Sequence, residues 1–512
     1  MKATRREFLK GTAWMATAAM ASGCMTGGFR ICGTGGLMQG YAAPPLKRVR
    51  VGLIGLGARG IGAAARLSRI PGVELAAVCD VRKERIEFTQ KFLDNQGLKL
   101  PALRYGVGGD DDWKRMCERD DIDVIYSATP WHLHAKTGLC AMDCGKHVFI
   151  EVPAAMTVDE CWALVEKSES TQRHCMQLEN CCYGEAEMLA LNLCRLGLLG
   201  ELVHGEGAYI HDLTTYDYSD PDKPFRPNSG GYHDYWRLRW NQKHKGNQYP
   251  THGLGPVCQY MGINRGDRFD YLVSLESDQK NMEAYAKWKF PNEWKGKENV
   301  EMGDMNTTLI RTVKGRSILV QHDVSSPRPY SRLNKISGTM GVFEGINFRD
   351  DFKCRENGVE KLVGEEELLH TAGCFCRFGW QNEPGGGVHS YFGKEKAEEM
   401  RIKYRHPLWK QVGELAKAVG GHGGMDFLMD LRWAYCLQNG LPLDMDVYDL
   451  ASWCSVCELS EKSVRSGSRP QAVPDFTRGN WRNVAPLGVL DCDMSKLDLP
   501  KSAGKADGQM SV

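Results

Sequence analysis

The sequence predicts an α/β protein in two parts. A parallel sheet covered by helices on both faces comes first, followed by an α+β domain with an open, mainly antiparallel sheet. Three observations carry this. A β-type run, Arg48-Val-Arg-Val-Gly-Leu-Ile54, flows through Gly55-Leu-Gly57-Ala-Arg-Gly60 into a helical pattern over Ala63–Arg69. Apolar runs of strand length then alternate with helical stretches to about residue 180. Beyond about residue 183 the pattern becomes one of alternating strands.

The first residues read as an address. Thr4-Arg5-Arg6-Glu7-Phe8-Leu9-Lys10 opens a segment, residues 1–24, that resembles a twin-arginine export signal, with a short apolar stretch and small residues after it. Ala21-Ser22-Gly23-Cys24 has the form of a lipoprotein processing site, which would place a lipid anchor on Cys24. The expected destination is the periplasm, free or as a membrane-anchored lipoprotein. Residues 25–46, rich in Gly and Pro, are expected to form a flexible tether. Proteins on this route travel folded, so a cofactor inserted beforehand would travel inside.

The glycine run has a chemical reading. The first Gly permits a tight turn, the second lets backbone approach a pyrophosphate, and the third lets helix and strand pack closely. The helix N-terminus then faces the phosphates. The next strand, Glu74-Leu-Ala-Ala-Val-Cys79, ends in Asp80, twenty residues past Gly60. A carboxylate there meets a ribose 2′-hydroxyl and disfavours a 2′-phosphate. NAD is the expected cofactor, with NADP as the alternative because Arg82 and Lys83 follow. Residues 47–180 are therefore read as a Rossmann NAD-binding domain.

Later strands deliver further groups to the same edge, where ligands of such sheets bind. Asp123–Thr129 ends at Pro130-Trp131-His132-Leu133-His134, Lys146–Ile150 at Glu151-Val152-Pro153, and His174–Glu179 at Asn180-Cys-Cys-Tyr183. The second domain, residues 181–495, takes strands from Val203–His211, Asp270–Glu276, Thr307–Val313 and Ser317–Gln321. Helical patterns return near Leu408–Ala418 and Met425–Leu441, and residues 496–512 form a polar tail.

Composition narrows the function. Length 512 allows several domains and a large core. Lys plus Arg is 65 against 64 for Asp plus Glu, a balance with no electrostatic footprint for nucleic acid. The nineteen cysteines are scattered through apolar stretches, as buried thiols rather than a disulfide framework. Cys454-Ser-Val-Cys457 is a lone CxxC in a helical pattern, and no His/Asp spacing supports a metal site.

These residues carry a resemblance. The glycine loop, its terminal acid, a Thr-Pro loop, Glu151-Val152-Pro153 and an antiparallel second domain resemble the glucose-fructose oxidoreductase/inositol dehydrogenase/rhizopine catabolism (Gfo/Idh/MocA) superfamily. Dehydrogenases there usually show Glu-Lys-Pro, whose Lys relays a proton; Val152 cannot. A closer set comprises Glu151-Val152, Leu178-Glu-Asn-Cys-Cys-Tyr183, Trp236-Arg237 and Tyr249-Pro-Thr-His252-Gly-Leu-Gly-Pro256. Gln321-His-Asp and Ser326-Pro-Arg-Pro-Tyr330-Ser-Arg complete it. In this order the motifs are similar to those of glycoside hydrolase family 109, whose described members are NAD-dependent α-N-acetylgalactosaminidases. Thr214–Tyr235 departs from that family by its length.

The resemblance implies hydrolysis of α-linked terminal N-acetylgalactosamine on a small molecule or glycan, by oxidation at C3, proton loss at C2, elimination, water addition and reduction. No net redox change results. It implies that Gly55, Gly57, Ala58, Arg59, Gly60, Asp80, Trp131, His132, Leu133, His134, Glu151, Val152 and Asn180 hold the dinucleotide. Tyr209, Arg237, Tyr249, Pro250, Thr251, His252 and Tyr330 would line the sugar pocket, with Tyr183 a residue that either group could claim. Without the resemblance, His132 is a loop residue like His211 and His233.

His252 is the leading catalytic candidate, because an imidazole can take and return a proton near neutral pH. A packed structural histidine is its alternative. Tyr249, three residues earlier, would share its face on a helical turn, to relay a proton or only to stack. Glu151 could accept a proton, hold the nicotinamide ribose or serve structure alone. Two other functions stay open: an exported NAD(P)-dependent sugar oxidoreductase, and a surface sugar-binding protein. A homo-oligomer is compatible with each.

Overall fold

The strand β1 (Val49–Ile54) is almost wholly buried, as a central parallel strand with helices on both faces must be. A computed structural model describes residues 36–493, apart from 102, 107, 110, 219–230, 293–298, 346–351, 357–358, 364–372 and 377–393. The export signal, Cys24 and the polar tail lie outside the described residues.

Around β1 run β2 (Val73–Cys79), β3 (Leu103–Tyr105), β4 (Val124–Ser127), β5 (His147–Ile150) and β6 (Cys175–Gln177). Their order is β3-β2-β1-β4-β5-β6 and every pairing is parallel. Strand order reverses between β1 and β4, which opens a crevice at the carboxyl ends. The edge strand β3 is not foreseen in the sequence, because three residues are too few for a period to show.

The second sheet is built on β7 (Leu202–Ile210), β8 (Phe269–Glu276), β9 (Asn306–Thr312) and β10 (Ser317–Asp323). It continues through β11 (Lys335–Gly338) and β12 (Gly341–Glu344). A separate pair, β13 (Phe352–Glu356) and β14 (Val359–Val363), precedes β15 (Gly373–Cys376) and β16 (Gln471–Ala472). The eight-stranded order is β15-β12-β11-β7-β10-β9-β8-β16, antiparallel throughout except between β7 and β10.

Two late helices complete the first domain. Met425–Asn439 packs on β1 and on the helix Ala58–Leu67, with the rings of Phe149 and Trp433 4.5 Å apart. Val447–Arg465 packs on the helix Val158–Thr171. Cys454 and Cys457 are buried within it as structural thiols.

The helix Thr251–Met261 packs on β7, with backbone against backbone where Gly253 meets Gly207. A Cβ on Gly207 would come 2.2 Å from the Gly253 carbonyl oxygen, and one on Gly253 would come 2.4 Å from the Ala208 nitrogen. Backbone would have to yield, which is harder than turning a side chain. Gly207→Ala is therefore expected to cost about 3 kcal/mol or more, the upper end for overpacking. A urea midpoint equal to wild type would refute it.

The expected tether ends sooner than residue 46. From Gly36 onward the chain forms a strap on the domain surface, with Met38 and Ala43 buried. Met38 N–H donates to Tyr448 Oη (3.2 Å), Leu46 N–H to the Leu437 carbonyl (2.9 Å) and Tyr41 Oη to the Gln172 carbonyl (2.9 Å). The apolar side chains interspersed among the glycines and prolines supply the burial that composition alone conceals.

Beneath the strap, Tyr41 packs on His174, whose N–H donates to His147 Nδ1 (3.0 Å). Burial, with the charges of His174 and Arg173, drives His147 down to about 3; burial and Arg173 drive His174 down to about 4. Both values lie below the ordinary 6.5, so the stability these rings contribute is complete above about pH 6.5 and lost as pH falls toward 3–4. At pH 5 each costs about 2 kcal/mol. His174→Phe is expected to shrink the loss of unfolding free energy between pH 7 and pH 5 by about that much. Denaturant titrations with the same loss in both proteins would contradict it.

Candidate active site

The crevice begins at the glycine loop. Gly55 has φ +90°, and a Cβ there would meet the Ala128 carbonyl oxygen at 2.4 Å. A Cβ on Gly60 would lie 1.8 Å from the Gly55 oxygen, while Gly57 faces open space. No side chain caps the helix Ala58–Leu67, so its first N–H groups are available to an anion. Asp80 accepts from Leu56 N–H at 2.7 Å and from Arg82 N–H at 2.9 Å, which places its carboxylate beside the loop. This cradle fits a dinucleotide pyrophosphate and ribose.

Two of the expected cofactor residues, Arg59 and Asn180, meet on a carboxylate that the sequence did not flag. Arg59 bonds Glu151 Oε1 through Nε (3.0 Å) and Nη2 (2.9 Å), and Asp426 Oδ2 through Nη1 (2.9 Å). Asn180 Nδ2 donates to Asp426 Oδ1 at 2.5 Å. Burial opposes the Asp426 charge, yet Arg59, His422 and Arg66 hold it well below the usual carboxylate range. Glu151 also accepts from Tyr126 Oη (3.3 Å). The structure thus brings Glu151 to Arg59 and Tyr126, and not to His252.

The segment after β4 is not the expected loop: Pro130 caps the helix Trp131–Asp143, and its first turn sends the side chains of Trp131 to His134 in different directions. Trp131 is buried, 5.1 Å from the Trp236 ring and 5.8 Å from that of Tyr249. His132 is exposed and Leu133 half-buried. His134 is buried, with its ring nitrogens against the carbonyls of Pro153 (2.7 Å) and Thr129 (2.6 Å), so it braces two loops. Burial holds its pKa below the ordinary value. Val152, which precedes Pro153, is also buried.

On the other side of the crevice the expected sugar residues converge. Tyr209 on β7 lies 4.4 Å from Tyr249, 5.3 Å from His252 and 6.2 Å from Tyr330, ring to ring. The Arg237 guanidinium sits 5.0 Å from the Trp131 ring and 5.2 Å from that of Tyr249. Its Nη1 donates to Tyr232 Oη (2.9 Å), while Nε and Nη2 are buried without a partner. Pro250 and Thr251 are buried at the start of the helix that carries His252. Burial raises Tyr209, Tyr249 and Tyr330 above the ordinary phenol value, so all three keep their protons.

Tyr183 is a correction. Its hydroxyl donates to Asp444 (2.9 Å), and its carbonyl accepts from Trp409 Nε1 (2.9 Å), within the core. The short 3₁₀ turn Asn180–Tyr183 sends neighbouring side chains in different directions, which a motif read as a string does not reveal.

Glu179 is the residue that sequence reasoning missed. Its carboxylate is completely buried, and Oε1 lies 2.7 Å from His252 Nδ1 and 3.1 Å from Cys181 N–H. Burial opposes its ionisation, but the charge and hydrogen bond of His252 hold it below the ordinary range. A carboxylate accepts only, so Nδ1 carries the proton and Nε2 bears the free lone pair. Nothing in the sequence joins these positions, 73 residues apart. Asp217, also unflagged, is buried near Arg237; burial pushes it up to about 7 against the Arg237 charge.

Comparison with known proteins follows the same division of the chain. The profile described as "Glycosyl hydrolase 109, C-terminal domain" matches residues 183–358 and 387–483. That described as "Oxidoreductase family, NAD-binding Rossmann fold" matches residues 49–178. Glycosyl hydrolase family 109 protein 1 of Bacteroides thetaiotaomicron is 46% identical over 442 residues, 86% of this chain and 87% of that protein. An alpha-N-acetylgalactosaminidase of Bacteroides fragilis is 45% identical over 444 residues, 86% and 95% of the two chains. Among solved structures, levoglucosan dehydrogenase in complex with NADH and levoglucosan superposes with a TM-score of 0.54 at 17% identity. It covers 84% of this chain and 100% of that one, a likeness of fold.

Proposed function

The chain belongs to glycoside hydrolase family 109, and from that membership we propose that it releases α-linked terminal N-acetylgalactosamine without net redox change. One observation carries the reading. A carboxylate–imidazole pair, Glu179–His252, stands beside the Tyr209, Tyr249, Tyr330 and Arg237 cluster at the carboxyl edge of the dinucleotide sheet.

NAD, when bound, supplies a reversible hydride acceptor for C3 of the sugar. The chain's own groups supply the rest. The cradle of Gly55, Gly57, Gly60 and Asp80 would hold the dinucleotide, with Arg59, Asn180 and Glu151 nearby. His252 Nε2 accepts a proton from the sugar, and Glu179 stabilises the imidazolium that forms. The three tyrosines, kept protonated by burial, donate to sugar oxygens rather than abstract protons. Arg237, with two unpartnered N–H groups, orients hydroxyl or acetamido oxygens. Val152 offers nothing to the relay that a dehydrogenase lysine would serve.

The same proposal includes location. Arg5-Arg6 and the residues after them support export by the twin-arginine route, to the periplasm or to a lipid anchor on Cys24.

The test is turnover of an aryl α-N-acetylgalactosaminide in deuterated water, with no added cofactor. Release of unoxidised sugar bearing deuterium at C2 is the expected product. Release without exchange, together with no slowing by deuterium at C3 in single turnover, would reject redox cycling. An oxidised sugar would favour an oxidoreductase instead.

A further inference from the structure

The turn after β6 gathers a second set of donors. Glu179, Cys181 and His252 each offer one ligand atom, and the three atoms lie within 4.8 Å of one another. Glu179 and Cys181 are fully buried, while 12% of the His252 side chain is exposed, so the route from solvent passes the imidazole. Glu179 Oε2 is buried without a hydrogen-bond partner, and Cys181 Sγ lies 3.7 Å from Asn180 Oδ1. Other ligand geometries of this kind are absent among the described residues.

We propose that Glu179, Cys181 and His252 form an inhibitory site for a borderline-soft divalent cation, zinc above all. Sulfur, imidazole nitrogen and carboxylate oxygen are zinc's usual donors, whereas magnesium and calcium prefer oxygen alone. Three protein ligands leave a fourth tetrahedral position for water. On binding, the Cys181 S–H bond breaks and its proton goes to solvent, bonds from zinc to S, N and O form, and no electron changes hands. The imidazole nitrogen that faces Glu179 is Nδ1, at 2.7 Å. It can take zinc only by giving up its proton, and in the neutral ring that proton then sits on Nε2. Zinc thereby removes the lone pair that accepts the sugar's proton, without entering the aromatic cluster. Inhibition should lower kcat and leave KM unchanged.

The turnover readout rests on the glycosidase reading; zinc content and coordination do not. Purified enzyme with its cofactor is titrated with zinc chloride alone, desalted, and measured for zinc per chain, X-ray absorption and turnover. One zinc per chain with a sulfur neighbour at about 2.3 Å is expected, with kcat falling and recovering on chelation. Cys181→Ala removes the sulfur and no group assigned to catalysis. It should need at least about tenfold more zinc for half inhibition, because losing a ligand weakens a site no less than losing its outer partners. Wild-type zinc sensitivity in Cys181→Ala, a first shell of nitrogen and oxygen only, or a rise in KM in place of a fall in kcat would each overturn the proposal. The coordination measured on wild type decides the matter even if the variant fails to fold.

Discussion

Replacing His252 with alanine is expected to cut turnover by about 10² to 10⁴, while the dinucleotide stays bound. The imidazole stands between Glu179 and the tyrosines, whose phenols burial keeps protonated. Its ring lies 5.3 Å from Tyr209 and 4.9 Å from Tyr249, on the sugar side of the crevice, while the glycine cradle lies on the other. Turnover should therefore fall without loss of nicotinamide from the purified protein. Steady-state kinetics together with cofactor content after denaturation make the check. Near wild-type turnover would return His252 to a packing role.

Glu179→Gln should be nearly as severe, about 10²-fold or more in kcat with KM little changed. The amide can offer an N–H to Nδ1 where the carboxylate accepted one, so the ring is pushed toward the tautomer with its proton on Nε2. The imidazolium formed in the reaction also loses its counter-charge. A merely structural carboxylate would alter stability but not kcat per folded molecule. Loss of activity matched by loss of folded protein would remove Glu179 from the proton path. Glu179→Asp should recover part of the rate, because the charge and acceptor remain.

The features legible in the sequence were those that local physics writes locally. A strand, a glycine turn and a helix N-terminus are contiguous, and Asp80 ends the next strand, so the dinucleotide fold followed from spacing. The open second sheet was legible from alternation in β7 to β10. Tyr209, Arg237 and Tyr330 carried no signal beyond their motifs, and only the resemblance lifted them out of the core. Asp426 and Glu179 were invisible because their roles are created by chain segments hundreds or tens of residues away. Tyr183 illustrates the opposite error: it belongs to the right motif but faces the Asp444 side of its turn.

The strap at residues 36–46 has a consequence for the order in which the protein can be finished. Its partners Tyr448, Leu437 and Asn264 lie between 225 and 410 residues further along the chain. The helix Met425–Asn439, which covers β1 and the helix after the glycine loop, is also made late. A ribosome therefore releases the first sheet long before its cover exists, and those apolar faces must wait, exposed or chaperoned, until residues 425–439 have been made. Synthesis of residues 425–448, rather than emergence of the first domain, is the event that closes the cofactor half of the molecule.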